Sequence, residues 1–155
     1  MNIFILDADI EKCAQFHCDK HVVKMVLESA QLLSTVVRKS GIKKGYKMTH
    51  PNHPNALWAG ESLSNWKWLR SLAQALNKEY RYRFDKKINH KSYDLIVSLP
   101  LPRIKDKGLT PFAQVMPEKY QHKNPVTAYR KYYRNEKKKI FKWTKRPRPR
   151  WIRAA

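Results

Sequence analysis

The chain has 155 residues, 42% of them hydrophobic, which suffices for one domain with a core and excludes wholesale disorder. Lysine and arginine number 33 against 12 acidic residues, and this formal net charge of +21 is self-repulsive unless a polyanion offsets it. No apolar run of about 18 residues is present, so we expect no membrane partner. Because of the positive charge we predict binding to double-stranded DNA, with RNA as the alternative polyanion.

The predicted first element is a long helix over residues 9–38, preceded by six residues that form a short strand or an extended arm. Apolar and small side chains recur three and four positions apart along this helix and predict one inward stripe. The stripe consists of Ala14, Cys18, Val22, Met25, Ser29, Leu32 and Val36. A break near Asp19 is expected because the stretch is unusually long, with Asp19 capping the second part.

A loop rich in Gly and Pro follows, and a second helix is predicted over residues 55–84. Residues 85–123 give no clear pattern, and a third helix is predicted over residues 125–141. Beyond it the alternation of Arg and Pro at 146–150 prevents continuous helix. The fold class is therefore predicted as all-α: a single compact domain over residues 1–155, of about three main helices with long loops and an extended basic C-terminal tail, residues 142–155.

A second stripe on the first predicted helix is polar and lies about 100° around from the apolar one. It consists of Cys13, His17, His21, Lys24, Glu28 and Gln31. Glu28 is the only acid between Asp19 and Glu61, on a chain crowded with cations. A carboxylate facing a phosphate-binding surface opposes binding, so its presence favours a catalytic role in proton transfer or in stabilising an oxocarbenium ion. The alternative, which periodicity alone favours, is a solvated glutamate paired with Lys24.

A metal site is the other interpretation of this stripe. Cys13, His17 and His21 at four-residue intervals face one side of a continuous helix, with Glu28 as a distant fourth ligand. The spacing matches no recognised zinc motif and a break at Asp19 scatters the ligands, so we predict no metal and no cofactor. His50 and His53 are interpreted as loop histidines. The two cysteines form no disulfide framework and no signal peptide is evident, so we expect a cytoplasmic monomer.

The C-terminal third carries twelve Lys or Arg and one acid between residues 129 and 153, interleaved with aromatic residues. Cations neutralise phosphates and aromatic faces stack on bases, although some of these aromatics are needed for the core. The predicted nucleic-acid contacts of this region are Tyr129, Arg130, Lys131, Tyr132, Arg134, Lys137, Lys138, Lys142, Arg146, Arg148 and Arg150.

Three segments also match a known family in order and spacing. Residues 19–28 place an Asp, a His two positions on, two apolar residues and then a Glu on one helix. Residues 56–70 begin with small residues and continue into an aromatic and basic stretch, and residues 126–134 are again aromatic and basic. Over about half of the chain this arrangement resembles the phage pyrimidine-dimer DNA glycosylases of the endonuclease V type.

The resemblance implies a compact, metal-free, all-α enzyme that bends DNA and displaces a base. In that family the N-terminal amine attacks C1′ of the damaged nucleotide and forms an imine, assisted by the helix glutamate. Here it implies a DNA glycosylase, with AP lyase activity, whose catalytic residues are Met1, Glu28 and His21. Nearby nucleic-acid contacts are then Asn2, His17, Lys20, Lys24 and Gln31. The expected location is the nucleoid or a phage-infected cell.

Two departures from the family change the expected substrate. Asn2 is bulky for methionine removal, so the nucleophile is expected to be the amine of Met1. Leu27 and Gln31 stand where the family has arginines, so we expect a different damaged or modified base. The alternatives are a non-catalytic DNA- or RNA-binding protein of the same fold and an enzyme that modifies DNA bases.

Overall fold

Six α-helices build the computed structural model, which describes residues 1–152, and no strand occurs in that part of the chain. The helices are α1 (Ile10–Phe16), α2 (Asp19–Lys39), α3 (Pro54–Glu61), α4 (Leu63–Arg83), α5 (Lys91–Ser98) and α6 (Pro125–Glu136). Short 3₁₀ turns lie at Glu118–Tyr120, Lys138–Ile140 and Arg150–Ile152. The all-α prediction is confirmed, but the helices are more numerous than the three predicted. The end of the predicted tail, residues 153–155, lies outside the described residues.

The first predicted helix is broken, as expected, between α1 and α2. His17 and Cys18 adopt extended backbone conformations there, and α2 begins at Asp19. The predicted capping role of Asp19 is wrong, because Cys18 is the N-cap residue and no side chain caps the helix. Asp19 instead accepts a hydrogen bond from Arg83 Nη1 at 3.1 Å. All seven residues of the predicted apolar stripe are buried.

The second predicted helix is also broken, at Ser62, which separates α3 from α4. Ser62 Oγ donates to Asp106 Oδ1 at 3.0 Å and accepts from Lys107 N at 2.8 Å, so a distant loop fixes the break. No sequence pattern indicated α5. This helix is short, and the ring of His90 caps it by accepting from Ser92 N at 3.1 Å.

Helices α2 and α4 run antiparallel through the centre of the molecule. Trp66 Nε1 donates to the Leu33 carbonyl at 3.1 Å near one end, and Arg83 binds Asp19 at the other. The indole of Trp66 is fully buried between them. Burial of one large apolar side chain contributes roughly 1.5–3 kcal/mol. The contact between these two helices is the most extensive in the molecule, so the pair forms the main core.

The N-terminal segment forms no strand, and its residues 3–6 are buried in the core. Helix α6 holds this segment. Arg130 Nε donates to the Leu6 carbonyl and its Nη2 pairs with Asp7 Oδ1, both at 2.7 Å. The ring of Tyr133 packs edge-on against Phe4 with centroids 5.2 Å apart. These contacts place Met1 against the middle of α2.

The extended basic tail is not confirmed for the described residues 142–152, which fold back onto the helices. Trp143 Nε1 donates to the Phe16 carbonyl at 2.9 Å, and Thr144 N donates to Asp19 Oδ1 at 2.9 Å. Ile152 is buried in the core. Among residues 1–152 no helix has the length and apolarity that crossing a membrane requires.

Candidate functional site

The nitrogen of Met1 and the carboxylate of Glu28 lie side by side. Met1 N is 3.9 Å from Glu28 Oε1, and Asn2 N donates to the same oxygen at 3.0 Å. Lys24 Nζ lies 3.7 Å from Oε2, in the ion pair expected for residues four apart on a helix. The side chain of Glu28 is only 10% exposed, whereas that of Lys24 is 66% exposed. A carboxylate thus lies at ion-pair distance from an amine, next to an exposed cation.

The side chain of Asn2 fixes this arrangement. Its Oδ1 accepts from Ile3 N at 2.8 Å, Tyr129 Oη at 3.1 Å and Asn55 Nδ2 at 3.3 Å. Its Nδ2 donates to the Val115 carbonyl at 3.0 Å. Both ends of the amide are therefore engaged within the protein, while Asn2 also lines the neighbouring pocket, so its nucleic-acid contact stays a prediction. The predicted contact of Tyr129 is contradicted, because its side chain is fully buried.

His21 forms part of the pocket wall beside this pair. Its ring stacks on Phe4, with centroids 4.6 Å apart and planes 11° apart, and its Nδ1 is hydrogen-bonded to Tyr133 Oη at 2.8 Å. Burial, helped by the positive charges of His17, Lys137 and others, lowers the pKa of His21 to about 3. His21 is therefore neutral near pH 7, and only 5% of the residue is exposed.

His17 is buried in the core, which contradicts its predicted contact with nucleic acid. Its Nδ1 donates to the Cys13 carbonyl at 2.7 Å, and burial lowers its pKa to about 4. Cys13 Sγ donates to the Phe4 carbonyl at 3.2 Å, so the two side chains turn to different partners. No group of three or more His, Cys, Asp or Glu side chains within residues 1–152 is placed to hold a metal ion.

An open pocket of about 570 Å³ is lined by Met1 and Glu28. One wall is aromatic: Phe4 and Tyr132 have nearly parallel rings with centroids 6.4 Å apart, and Phe4 continues the stack to His21. Lys137 Nζ lies 5.7 Å from the Phe4 centroid and 5.3 Å from that of Tyr132. The predicted contacts Lys24 and Gln31 also line the pocket. This volume is typical of small-ligand sites and suits one nucleoside-sized group.

His53 belongs to the same pocket, although the sequence pattern did not identify it. Its Nδ1 accepts from Asn55 N at 3.1 Å and caps α3, so the neutral ring carries its proton on Nε2. Burial, followed by the positive charge of the N-terminal amine, lowers the pKa of His53 below its usual value. The only sequence signal was its place just before Pro54 at a helix start.

Three of the predicted cationic contacts are engaged inside the protein. Arg146 forms two hydrogen bonds to the Glu79 carboxylate, at 3.0 and 2.7 Å. Arg130 pairs with Asp7 and lies between two aromatic rings, and Arg134 donates to the Trp151 carbonyl at 3.0 Å. These arginines stabilise the fold. Their phosphate contacts stay predictions, because the side chains of Arg130 and Arg146 are still 29% and 27% exposed.

The remaining predicted cations are available at the surface. Lys137 is half-buried at the pocket, and the others are exposed. The exposed set is Lys20, Lys24, Lys131, Lys138, Lys142, Arg148 and Arg150. The protein therefore has a basic surface even without these three arginines.

Comparisons with protein-family models, with curated proteins and with solved structures find no match for this chain. The resemblance to pyrimidine-dimer glycosylases therefore rests on its three sequence segments and stays a prediction. The chemistry of the pocket is the remaining guide to function.

Proposed function

We propose that this protein is a DNA glycosylase with AP lyase activity, in which the amine of Met1 is the nucleophile and Glu28 the catalytic carboxylate. The observation that supports the proposal most is the 3.9 Å separation of these two groups at an open pocket. An amine beside a carboxylate is the arrangement that imine-forming covalent catalysis needs, since the carboxylate takes the ammonium proton and releases the nucleophile. The proposal takes Met1 as the first residue of the mature protein.

In the proposed reaction, one proton passes from the ammonium of Met1 to Glu28. The neutral nitrogen bonds to C1′, and the bond from C1′ to the base breaks with its electron pair leaving on the base, which takes up a proton from the attacking nitrogen. The sugar ring opens at O4′ as Glu28 gives its proton to that oxygen, which leaves a protonated imine between the protein and C1′ and a carboxylate on Glu28. This carboxylate then removes a proton from C2′, and the 3′ phosphate leaves in the lyase step.

The aromatic wall supports a nucleobase as the group that enters the pocket. Base stacking on aromatic rings contributes roughly 1–3 kcal/mol per base and tolerates many base structures. Phe4 and His21 are buried behind this wall, so the half-buried Tyr132 is the ring that is open to a base. Lys137 beside these rings supplies a cation for the adjacent phosphate.

Leu27 and Gln31, which replace the arginines of the family, line the pocket next to Glu28. Neither residue binds phosphate as a charged group. The proposed substrate is therefore a single damaged or modified base rather than a pyrimidine dimer.

A second candidate is a non-catalytic DNA- or RNA-binding protein in which Glu28 only ties the N-terminus to α2. The observation that favours it is the ion pair between Lys24 and Glu28, because such pairs are common on solvated helix faces. This candidate keeps the basic surface and assigns no chemistry to the amine.

Borohydride trapping separates the two candidates. Duplexes that contain an abasic site, ultraviolet damage or a modified base are incubated with the protein and reduced. We expect a covalent adduct that peptide mapping locates at Met1. Intact-mass measurement of the protein establishes that Met1 carries a free amine.

The matched control is a variant with one glycine added before Met1, which moves the amine out of place and leaves the surface charge unchanged. It is expected to bind the same duplexes and to give no adduct. The glycosylase proposal is wrong if no duplex is trapped by the parent protein, or if the adduct maps to a lysine.

A further inference from the structure

The loop between α4 and α5 exposes one apolar side chain. Ile88 is 77% exposed, the highest value among the exposed large hydrophobic residues of the described chain. Isolated surface hydrophobics are common and usually need no explanation. The surroundings of Ile88 differ from that ordinary case in three respects: rigidity, charge and position.

The loop is rigid on both sides of Ile88. The guanidinium of Arg81 donates to the carbonyls of Lys86, at 3.4 Å, and Lys87, at 2.9 Å. Lys86 N returns a hydrogen bond to the Arg81 carbonyl at 3.0 Å. The turn begins at Asp85, which adopts a positive φ of 51°. The carbonyls that precede Ile88 are thus held, so the side chain cannot fold back by a simple loop movement.

The residues that follow Ile88 are also fixed by hydrogen bonds. Asn89 Oδ1 accepts from Asn77 Nδ2 at 3.0 Å, and its Nδ2 donates to Asp94 Oδ1 at 3.1 Å. His90 N donates to Asn77 Oδ1 at 2.8 Å. A preorganised backbone therefore presents the isoleucine outward.

The charge around Ile88 is positive. Lys86 and Lys87 precede it directly and are exposed, and Lys91 follows within the first turn of α5. Of the neighbouring acids, Asp85 pairs with Lys145, while Asp94 accepts a hydrogen bond from the neutral amide of Asn89 and keeps its charge. Three lysines against this one acid leave an excess of positive charge around the apolar tip, which complements a phosphate-rich surface.

The loop is anchored next to the helix that carries the candidate site. The ring of His90 faces the backbone carbonyl of Val23 on α2. The next residue along α2 is Lys24, which lines the pocket. The loop and the pocket are therefore connected through one turn of α2 whose Lys20 and Lys24 are exposed.

We propose that Ile88 is a wedge that inserts between stacked base pairs of duplex DNA while Lys86 and Lys87 hold the flanking phosphates. Architectural DNA-binding proteins use isoleucine, leucine and phenylalanine in this way to unstack one step and bend the duplex. A protein partner is disfavoured because protein docking sites are apolar patches of several hundred Å², whereas Ile88 stands alone among charged residues. This inference rests on the DNA binding of the proposed function and adds how the duplex is opened.

The test uses undamaged duplexes that carry 2-aminopurine at successive positions, because its fluorescence rises when a base is unstacked. With saturating protein we expect a local rise at one step. Ile88→Ala is expected to remove most of that rise and to weaken binding about tenfold, whereas Ile88→Leu restores both. The matched control is Val97→Ala, at a side chain on α5 that is 64% exposed, and it should change neither quantity.

Several outcomes overturn the wedge. The proposal is wrong if Ile88→Ala and the parent protein give equal fluorescence. It is also wrong if Val97→Ala lowers the fluorescence as much as Ile88→Ala does. A change of oligomeric state in Ile88→Ala, measured by light scattering, assigns the residue to an interface with a second copy instead. An equal decrease in affinity for single-stranded RNA assigns it to general strand binding.

Borohydride trapping on an abasic duplex keeps this inference distinct from the glycosylase proposal. Unstacking that depends on Ile88, in a protein that gives no adduct, retains the wedge and removes the glycosylase. An adduct at Met1 that forms at the same rate in Ile88→Ala, without any change in unstacking, removes the wedge alone.

Discussion

Replacing Glu28 by glutamine changes one charge at the candidate site and little of its shape. The amide oxygen can still accept the hydrogen bond that Asn2 N donates at 3.0 Å, and the two side chains have similar helix propensity. The variant loses the attraction between the carboxylate and the Met1 ammonium, 3.9 Å away. With an effective dielectric constant of roughly 20, this attraction is about 4 kcal/mol before the cost of desolvating both groups is subtracted.

The net effect of this substitution on stability is smaller. The Lys24 pair contributes only a few tenths of a kcal/mol, because its ammonium is largely exposed. Since desolvation offsets much of the Met1 attraction, we expect the free energy of unfolding to fall by about 1–2 kcal/mol in a urea titration. The variant therefore stays folded at 25 °C.

The effect of Glu28→Gln on catalysis is expected to be much larger. Consider a duplex that gives a borohydride adduct with the parent protein. Its single-turnover cleavage should slow by about 10²–10⁴-fold, while the affinity of the protein for it stays equal or rises because one negative charge is gone. A folding defect lowers both quantities together and cannot imitate this result. Glu61→Gln, which removes an exposed acid from α3, is the matched control and should change neither. Equal cleavage by Glu28→Gln and the parent protein would refute the catalytic role.

Two further predictions concern binding and acid stability. Changing the exposed Lys131, Lys138 and Lys142 to Ala should reduce the salt slope of DNA binding by about 0.9 for each phosphate that is no longer neutralised, measured by fluorescence anisotropy, whereas the same change at the exposed Lys43, Lys44 and Lys47 should leave the slope unaltered. An unchanged slope for the first triple variant would exclude this surface. Burial holds the pKa of His17 at about 4 and that of His21 at about 3, so between these values and pH 6.5 the rings take up protons only in the unfolded chain. Stability should be full above pH 6.5 and fall toward pH 4, by on the order of 3 kcal/mol for His17, and a flat pH dependence in urea titrations would contradict the buried neutral rings.

Local periodicity predicted the parts of the fold that depend on neighbours three and four residues apart. The apolar stripe of α2 is buried along its whole length for this reason. The break at Ser62 could not be found in the same way, because its hydrogen-bond partner Asp106 lies 44 residues further along the chain. Helix α5 escaped detection because it is one short segment, stabilised by a cap and by packing on α2.

The same difference between local patterns and long-range contacts applies to the candidate site. Glu28 stood out because it is an isolated acid among cations, a property visible in the sequence. Arg130 and Arg146 looked like the other cations of their segment, and only the fold reveals their acidic partners, 123 and 67 residues away. His53 lacked any periodic pattern, so nothing local connected it with a pocket built mainly from the N-terminus, α2 and α6.

The grip of α6 on the N-terminal segment also determines when the candidate site forms. Tyr129 meets Asn2 across 127 residues, so the first and last helical parts of the chain must both exist before the Met1 nitrogen is held beside Glu28. At synthesis rates of about 5–20 residues per second, translation from Asn2 to the end of α6 takes roughly 7–27 s. Throughout that interval the residues around Met1 are not yet held by α6 and stay open to enzymes that modify nascent chains. The chemical identity of the amine that we propose as the nucleophile is therefore decided before the candidate site has formed.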